Sequence, residues 1–321
     1  MKPFKTLDEQ INILKERNLT FNDENEAKRY LLNNNYYNII NCYSKYFLDC
    51  DERYIDGTSF DDIMAVHHFD KNIKMTLFQF IIECEKTFKS IFAYRYSEYF
   101  MRDNSYKRYC YLDINNYDSK KILKVSKNIS QLSNIISSKI NDGDNSISHY
   151  VRKHSDVPMW VLINNLTFGQ TSKLYSFMPL SLKNIVSKDL SVFLKVNSAY
   201  EDALLQPDEL ESYLINIVEL RNLIAHNNKV MDHRFIKNNK YNYYLHNNYD
   251  IGPKSPRRDV FNAFVTMQCF LSHEEFAQLN NSILKRINKL KKKINSESAE
   301  KILSDLGFNI NLQKIEQQLN K

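Results

Sequence analysis

Three residues within one short stretch, Arg221, Asn222 and His226, supply a permanent cation, an amide and an imidazole. Asn222 and His226 are four residues apart, so they share one face of a helix, and the long Arg221 side chain can reach that face. A guanidinium holds phosphate through a bidentate fork, and an imidazole changes its protonation near neutral pH. These are the groups needed to cleave RNA without a metal ion. The same spacing also fits a solvated or capped helix end, and the residues alone leave both interpretations open.

The helix that carries this stretch is predicted to begin at Pro207. Proline has a fixed φ that suits the first helical position, and Asp208 and Glu209 place two carboxylates at the positive end of the helix dipole. Apolar residues then recur at helical spacing, namely Leu210, Tyr213, Leu214, Ile217, Leu220 and Ile224. The pair Asn227-Asn228 predicts a left-handed cap that ends the helix.

The composition predicts an all-α protein. Only 5 of the 321 residues are Gly and 6 are Pro, and so few helix breakers favour long helices over a β-sandwich or a glycine-looped nucleotide fold. No apolar stretch approaches the roughly 20 residues of a membrane helix, and the N-terminus lacks the apolar core of a signal peptide. Five scattered cysteines without a Cys-x-x-Cys pair indicate reduced thiols and a cytoplasmic protein. The net charge of +6 is compatible with RNA binding but does not require it.

The chain is divided into three predicted segments: an N-terminal helical unit (1–58), a helical bundle (59–295) and a peripheral C-terminal helical tail (296–321). Gly57 is the clearest break in the first half. Helices are predicted at 7–15, 23–32, 36–47, 69–99, 120–140, 158–166, 171–178, 180–194, 207–226 and 257–293, with a break at Phe168-Gly169. The Asn- and Tyr-rich residues 237–249 alternate in a way that could form a short hairpin.

Four blocks along the chain carry a family resemblance. They are the N-terminal block of Lys2-Pro3-Phe4, Gln10, Leu14 and Asn18-Leu19 together with Leu32 to Tyr37, then His68-Phe69-Asp70 with Ile82-Glu83 and Glu85, Pro158-Met159-Trp160 with Leu166 to Gly169, and Arg221-Asn222 with Ala225-His226. With these blocks in this order the chain resembles the abortive-infection (Abi) proteins of the AbiD and AbiF type, within the HEPN superfamily. The last block is similar to the HEPN active-site signature, an Arg and a polar residue followed by His.

The resemblance implies a helical HEPN bundle that dimerises, with the Arg–His segments of two protomers meeting to form one composite ribonuclease site. It also implies antiphage defence by growth arrest, with RNA as the substrate, no cofactor and, as in some relatives, a small structured noncoding RNA as a regulatory partner. The alternative is a HEPN module that binds RNA or scaffolds a partner without cutting. The expected location is the cytoplasm, with no membrane partner.

In the catalytic interpretation, the 2′-hydroxyl of RNA attacks its own 3′ phosphate, which leaves a 2′,3′-cyclic phosphate and a 5′-hydroxyl. His226 is expected to act as the acid or the base, and its copy on a second protomer takes the complementary role. Arg221 holds the phosphate, which a lysine could not do with the same geometry. Asn222 orients His226 or contacts a ribose. No metal is needed in this path.

A basic run near the C-terminus, with Lys285, Arg286, Lys289 and Lys292 as the proposed contacts, has no acid within it. It is predicted to follow RNA phosphates, with an affinity that falls as salt rises. A solvated helix end is an equally good interpretation of the same residues.

Several other polar residues could have either a functional or a purely structural role. His67, His68 and Asp70 could resemble metal ligands, but adjacent histidines point to different sides of a helix, so a metal site is not expected. One of Glu83 and Glu85 could pair with Arg221, or both could be solvated. His233 and Arg234 could touch substrate, or lie in a solvated loop. Trp160, the only Trp, is expected to be buried as an anchor of the bundle.

Overall fold

The computed structural model describes residues 3–101 and 107–308. Within these ranges the chain forms α-helices joined by short 3₁₀ and π turns, and no strand occurs. Two isolated β-bridges, Thr20 with Ser59 and Leu48 with Tyr54, are the extended pairings of the described part. The all-α prediction is confirmed. No described helix has the length and apolar character that crossing a bilayer requires.

The α-helices of the described ranges follow one another along the chain. They are α1 (Leu7–Glu16), α2 (Glu24–Asn34), α3 (Phe60–Met101), α4 (Ile122–Asn141), α5 (Ser146–His154), α6 (Met159–Leu162), α7 (Phe168–Ser176), α8 (Leu180–Ser198), α9 (Pro207–Ala225), α10 (Tyr243–His246), α11 (Val260–Thr266), α12 (His273–Lys291) and α13 (Ser296–Leu306).

Helix α3 is the central element of the fold. Its 42 residues span about 63 Å at the usual rise of roughly 1.5 Å per residue. It packs against α6, α7, α8, α9 and α12, and its apolar side chains from Phe69 to Phe88 are buried at three- and four-residue steps. The helix begins nine residues before the predicted start, because Asp62 accepts hydrogen bonds from the Ser59 amide and hydroxyl and so fixes the first turn.

The segment predicted as one helix over 36–47 is helical but irregular. Asn35 has a φ of 64° and ends α2, and the chain then forms a π turn, Tyr37–Asn41, and a 3₁₀ turn, Ser44–Tyr46. The segment buries the consecutive pair Ile39-Ile40 together with Tyr43, Tyr46 and Phe47. At about 100° per residue these side chains would span an arc of roughly 120° on a regular helix, so the segment keeps one buried face although its hydrogen-bond pattern changes from turn to turn.

The predicted helix over 257–293 is also divided. Residues 260–271 are all buried, whereas α12 is amphipathic, so the two parts occupy different layers. Ser272 separates them, since its side chain and that of Glu275 form a reciprocal capping box at the start of α12. The predicted hairpin over 237–249 is absent from the described structure. The Asn242 side chain instead caps the short α10.

Two smaller predictions in the middle of the chain are corrected. Helix α7 begins at Phe168 behind a Thr167 capping box, so Gly169 lies inside its first turn rather than at a break. A Cβ on Gly169 would lie 3.4 Å from a methyl group of Val218 in α9, and this close packing explains the glycine. Helix α5, after the loop at 141–145, had no counterpart in the predicted elements.

The buried side chains from Ile11 to Phe308 form one contiguous core. The N-terminal unit touches α13 directly: the Ser298 hydroxyl donates to the Tyr46 carbonyl at 2.8 Å, and the Tyr46 hydroxyl donates to Asp305 at 2.9 Å. Helix α13 is therefore part of the core and not peripheral as predicted. The rest of the predicted tail, 309–321, lies outside the described residues, and the three-segment division remains a prediction.

Candidate functional site

The C-terminal end of α9 has the geometry of a Schellman cap. The His226 amide donates to the Asn222 carbonyl at 3.0 Å, the Asn227 amide donates to Ile224 at 2.8 Å, and the Asn228 amide donates to Leu223 at 3.0 Å. Asn227 has a φ of 55°, which places it in the left-handed region that Asn tolerates. The predicted left-handed cap is confirmed at Asn227, and His226 is the last residue of the helical turn.

A buried ion pair on α3 fixes this cap. The Lys74 ammonium lies 2.9 Å from a carboxylate oxygen of Asp70 and donates to the Asn227 side-chain oxygen at 2.9 Å. The Asp70 carboxylate also accepts from the Tyr43 hydroxyl and the Val230 amide, each at 3.1 Å. Asp70 is fully buried, so the network acts in a low dielectric and holds the residue after His226 firmly against α3.

The three residues predicted to carry the chemistry all reach solvent at this helix end. Asn222 and His226 are exposed and Arg221 is half-buried. A guanidinium nitrogen of Arg221 lies 3.4 Å from the side-chain oxygen of Asn222, a long and weak contact. Ala225 is exposed as well, so the residue directly before His226 adds only a methyl group to this surface.

His226 lines a polar cleft of about 600 Å³, which we call the His226 cleft. Its walls are residues of the 32–43 segment, His67 and Lys74 of α3, and the chain from His226 to Lys229. None of the described lining residues is an Asp or a Glu. The cleft therefore presents two ammonium groups, two imidazoles and several amides to whatever enters it. Arg221 and Asn222 are not among its lining residues.

His67 is the second imidazole of the cleft. Burial, with the nearby charges of His68, Lys74 and Lys71, lowers the pKa of His67 to about 4. Its Nδ1 lies 2.5 Å from the Tyr30 hydroxyl. At neutral pH the ring is therefore uncharged. Within the described residues no three His, Cys, Asp or Glu side chains converge as metal ligands.

Lys229 adds the other cation. Its ammonium donates to the Cys42 carbonyl and to Asp232, each at 3.0 Å, and so joins the chain after α9 to the π-turn segment. Burial raises the pKa of the Cys42 thiol, which also lines the cleft. A thiol with a raised pKa is a poor nucleophile at neutral pH.

The ion pairs decide between interpretations that the sequence left open for three residues. Glu83 pairs with Lys86 and Glu85 with Lys89, each at 2.6 Å, and neither pairs with Arg221. The His233 ring lies 3.0 Å from Glu219 of α9. This pairing makes His233 a half-buried structural residue rather than part of a solvated loop.

Two residues of the basic run, Arg286 and Lys289, line a small recess against α3, together with His68 and Lys293. Lys285 and Lys292 are exposed and are not among the residues that line it. Lys285, Lys289 and Lys292 follow one another at four- and three-residue steps, which place them on one side of the helix end. That the four residues contact RNA remains a prediction.

The sequence did not identify Lys74, Lys229 or His67 as residues of the cleft. A buried ion pair could have been predicted at Lys74, because Asp70 and Lys74 are four residues apart within an otherwise apolar seam, and buried charges occur in pairs. Lys229 and His67 had no such signal, since their proximity depends on the packing of α3 against the end of α9.

A family model described as Abi-like protein matches residues 29–232, which is more than half of the chain. The match includes all residues that line the His226 cleft and the whole Arg221–His226 stretch, and it ends before the basic run of α12. No curated protein and no solved structure matches the chain.

Proposed function

The chain belongs to the Abi-like protein family, and since this membership supports a role in abortive infection, we propose that the protein defends against phage as a metal-independent endoribonuclease of the HEPN type. One observation carries the proposal: an exposed imidazole, His226, opens on a cleft whose described lining includes the ammonium groups of Lys74 and Lys229 and no carboxylate. Both ammonium groups also pair with carboxylates outside the lining, Asp70 and Asp232, so the cleft offers a phosphodiester hydrogen-bond donors rather than a large net positive charge.

The proposed reaction transfers an RNA phosphate from the 5′-oxygen to the 2′-oxygen of the preceding ribose. The 2′-hydroxyl loses its proton to a base as the new O–P bond forms, and the leaving 5′-oxygen gains a proton as its bond to phosphorus breaks. His226 moves one of these two protons. Arg221 and the ammonium of Lys229 stabilise the charge that develops on the phosphorane oxygens, and Asn222 orients the ribose or His226.

The second proton transfer requires another group, and we propose that it is His226 of a second copy. Within one chain, Arg221 and Asn222 lie beside the His226 cleft and not in it. The exposed face of α9 includes Ile215, which is 40% exposed, as well as Asn222 and Ala225. If this face packs against its copy, the Arg221 side chain of one protomer approaches the His226 cleft of the other.

A cleavage assay on the full chain tests the proposal. Single-stranded RNA is incubated with the protein in a chelator, and we expect cleavage to 2′,3′-cyclic phosphate ends. Positioned acid–base groups contribute a factor of about 10²–10⁴ to the rate, so we expect His226→Ala to lower the cleavage rate by a factor in this range or larger. His149→Ala, which removes an exposed histidine of α5, is the matched control and should cleave normally. Undiminished cleavage by a folded His226→Ala protein contradicts the mechanism.

The alternative function is a noncatalytic module that binds RNA or scaffolds a partner, and the separation of Arg221 from the His226 cleft in one chain favours it. RNA that copurifies with the protein distinguishes the two. A discrete copurified RNA supports a regulated ribonucleoprotein, with a noncoding RNA as the restraint on a toxic nuclease. If Arg221→Ala, His226→Ala and the unmodified protein bind RNA alike and none cuts in any condition, the noncatalytic function is correct.

A further inference from the structure

A small basic recess lies between α3 and α12. Its polar lining consists of His68 and Asn72 from α3, of Arg286 and Lys289 from α12 and of Lys293 in the turn after α12, and its volume is about 90 Å³. No Asp or Glu is among the described residues that line it. Three full cations surround a space comparable to about three liquid water molecules. A nucleoside does not fit there, whereas a single tetrahedral oxyanion does.

The Arg286 guanidinium gives a second indication of a ligand. Its Nε is buried and has no hydrogen-bond partner among the described atoms. A buried donor without an acceptor is destabilising, and more so when it carries charge, so an anion in the recess would satisfy it. Arginine also binds tetrahedral oxyanions through two parallel hydrogen bonds, so this side chain suits the space that it lines.

The surroundings of His68 indicate the sign of the local field. Burial lowers the pKa of His68, and the charges of Lys293, Lys71 and Lys289 lower it further. Lys71 lies outside the lining residues, so the positive potential extends past the rim of the recess.

We propose that this recess is a binding site for one phosphate group, held by Arg286, Lys289 and Lys293. The phosphate has two possible sources: a backbone phosphate of RNA that also occupies the His226 cleft, or a free or terminal phosphate. The first source rests on the proposed function, and the site itself does not. The two places are adjacent, because His67 lines the cleft and His68 the recess, and their ring centroids are 6.0 Å apart.

The site is tested with inorganic phosphate and without any RNA. The full chain is titrated at constant ionic strength while the imidazole resonance of His68, assigned with His68→Gln, is followed by NMR. We expect a saturable shift that becomes at least tenfold weaker in Arg286→Gln and in Lys289→Gln. Lys291→Gln removes the same charge from an exposed position of α12 that does not line the recess, and it should leave the titration unchanged. Absence of saturation, or an equal loss in Lys291→Gln, overturns the proposal.

A second titration distinguishes the two sources of phosphate. A single-stranded RNA analogue with 2′-O-methyl riboses lacks the attacking hydroxyl and remains intact. If the analogue competes with inorganic phosphate for the His68 signal, and Arg286→Gln weakens its binding more than Lys291→Gln does, the recess holds a backbone phosphate. If only inorganic phosphate or a 5′-phosphorylated mononucleotide produces the shift, the recess is a site for a free or terminal phosphate. Either result is independent of whether the protein cleaves RNA.

Discussion

The ammonium group of Lys74 connects two partners that are distant in the sequence, the carboxylate of Asp70 and the side chain of Asn227. Asp70 is fully buried, whereas Lys74 lines the His226 cleft, so the carboxylate has no access to water as a substitute partner. The position of the residue after His226 thus depends on a cation that does not belong to the motif. At the residue scale, the catalytic proposal therefore needs Lys74 as a positioning residue as well as Arg221 and His226.

Lys74→Met should destabilise the fold strongly. The substitution preserves length but leaves the Asp70 carboxylate buried without a cation, and breaking a buried pair in this way costs about 3–5 kcal/mol. The measurement is the free energy of unfolding in guanidinium chloride. Asp70→Asn combined with Lys74→Met removes both charges and should recover at least half of the loss. A single variant as stable as the unmodified protein would show that the pair does not hold the cap.

The placement of Arg221, Asn222 and His226 at the end of one helix could be predicted from the sequence because it is local: all three lie within two helical turns. The other wall of the cleft could not, since it comes from the 32–43 segment and from α3. Trp160 illustrates the same limit. Its size suggested burial, but it is 46% exposed, because the four-residue α6 turns it toward a groove along α3. Whether a large side chain is covered depends on the neighbouring elements and not on its own chemistry.

At the scale of elements, the end of α13 is fitted closely against the start of α11. Gly307 has a φ of +84°, and a Cβ at this position would lie 2.6 Å from the carboxyl carbon of Asp259. Asp259 cannot move away freely, because it caps α11 by accepting from the Asn262 amide at 2.9 Å. Burial also raises the pKa of the Asp259 carboxyl.

Gly307→Ala should therefore destabilise the protein more than the backbone conformation alone explains. Gly143→Ala is the control, since Gly143 has a φ of +94° and a Cβ added there would have no neighbour within 4 Å. An alanine forced into this left-handed region costs about 1–2 kcal/mol, and the overpacked Gly307 site should cost about 1–3 kcal/mol more. Thermal and chemical unfolding of both variants give the comparison. Equal losses of stability in the two variants would mean that the Asp259 carboxyl can move aside without destabilising the protein.

The helices whose ends could be predicted have capping signals in the sequence. The Thr6–Glu9 capping box and Pro207 set the starts of α1 and α9, and both starts agree with prediction. The segments 36–47 and 257–293 could not be divided correctly, because their apolar residues are too dense for periodicity to show a phase. There the tertiary packing decides where one element ends.

At the scale of the whole molecule, a buried imidazole makes the fold sensitive to acid. His246 is fully buried, its Nδ1 accepts from the Asn242 amide at 3.0 Å, and burial lowers its pKa from 6.5 to about 4. Above pH 6.5 the ring is neutral in the folded and the unfolded chain. Between pH 6.5 and about 4 only the unfolded chain takes up the proton, so the unfolding free energy falls as pH falls.

We expect His246 to account for about 3 kcal/mol of this loss, from roughly 1.4 kcal/mol per pKa unit. The comparison is between the unmodified chain and His246→Gln, which keeps a neutral polar side chain. Unfolding in guanidinium chloride at pH 7, 6, 5 and 4 should give a shallower decline for the variant. Parallel curves for the two proteins would contradict the assignment.

The proposed composite site predicts complementation between two inactive chains. Arg221→Ala and His226→Ala should each fail to cleave RNA alone, and mixed dimers should recover part of the activity because one functional Arg221 and one functional His226 remain across the interface. Sedimentation of the mixture checks that dimers form. Dimers without any recovery of cleavage would show that each site belongs to one chain.

The two walls of the His226 cleft, one near Tyr37 and one at His226 to Lys229, are also synthesised at different times. About 190 residues separate them, which at a synthesis rate of roughly 5–20 residues per second amounts to about 10–40 s on the ribosome. During that interval the growing chain has the first wall and none of the second. The proposed nuclease activity therefore could not reach the messenger and ribosomal RNA around the chain until most of its own translation is over.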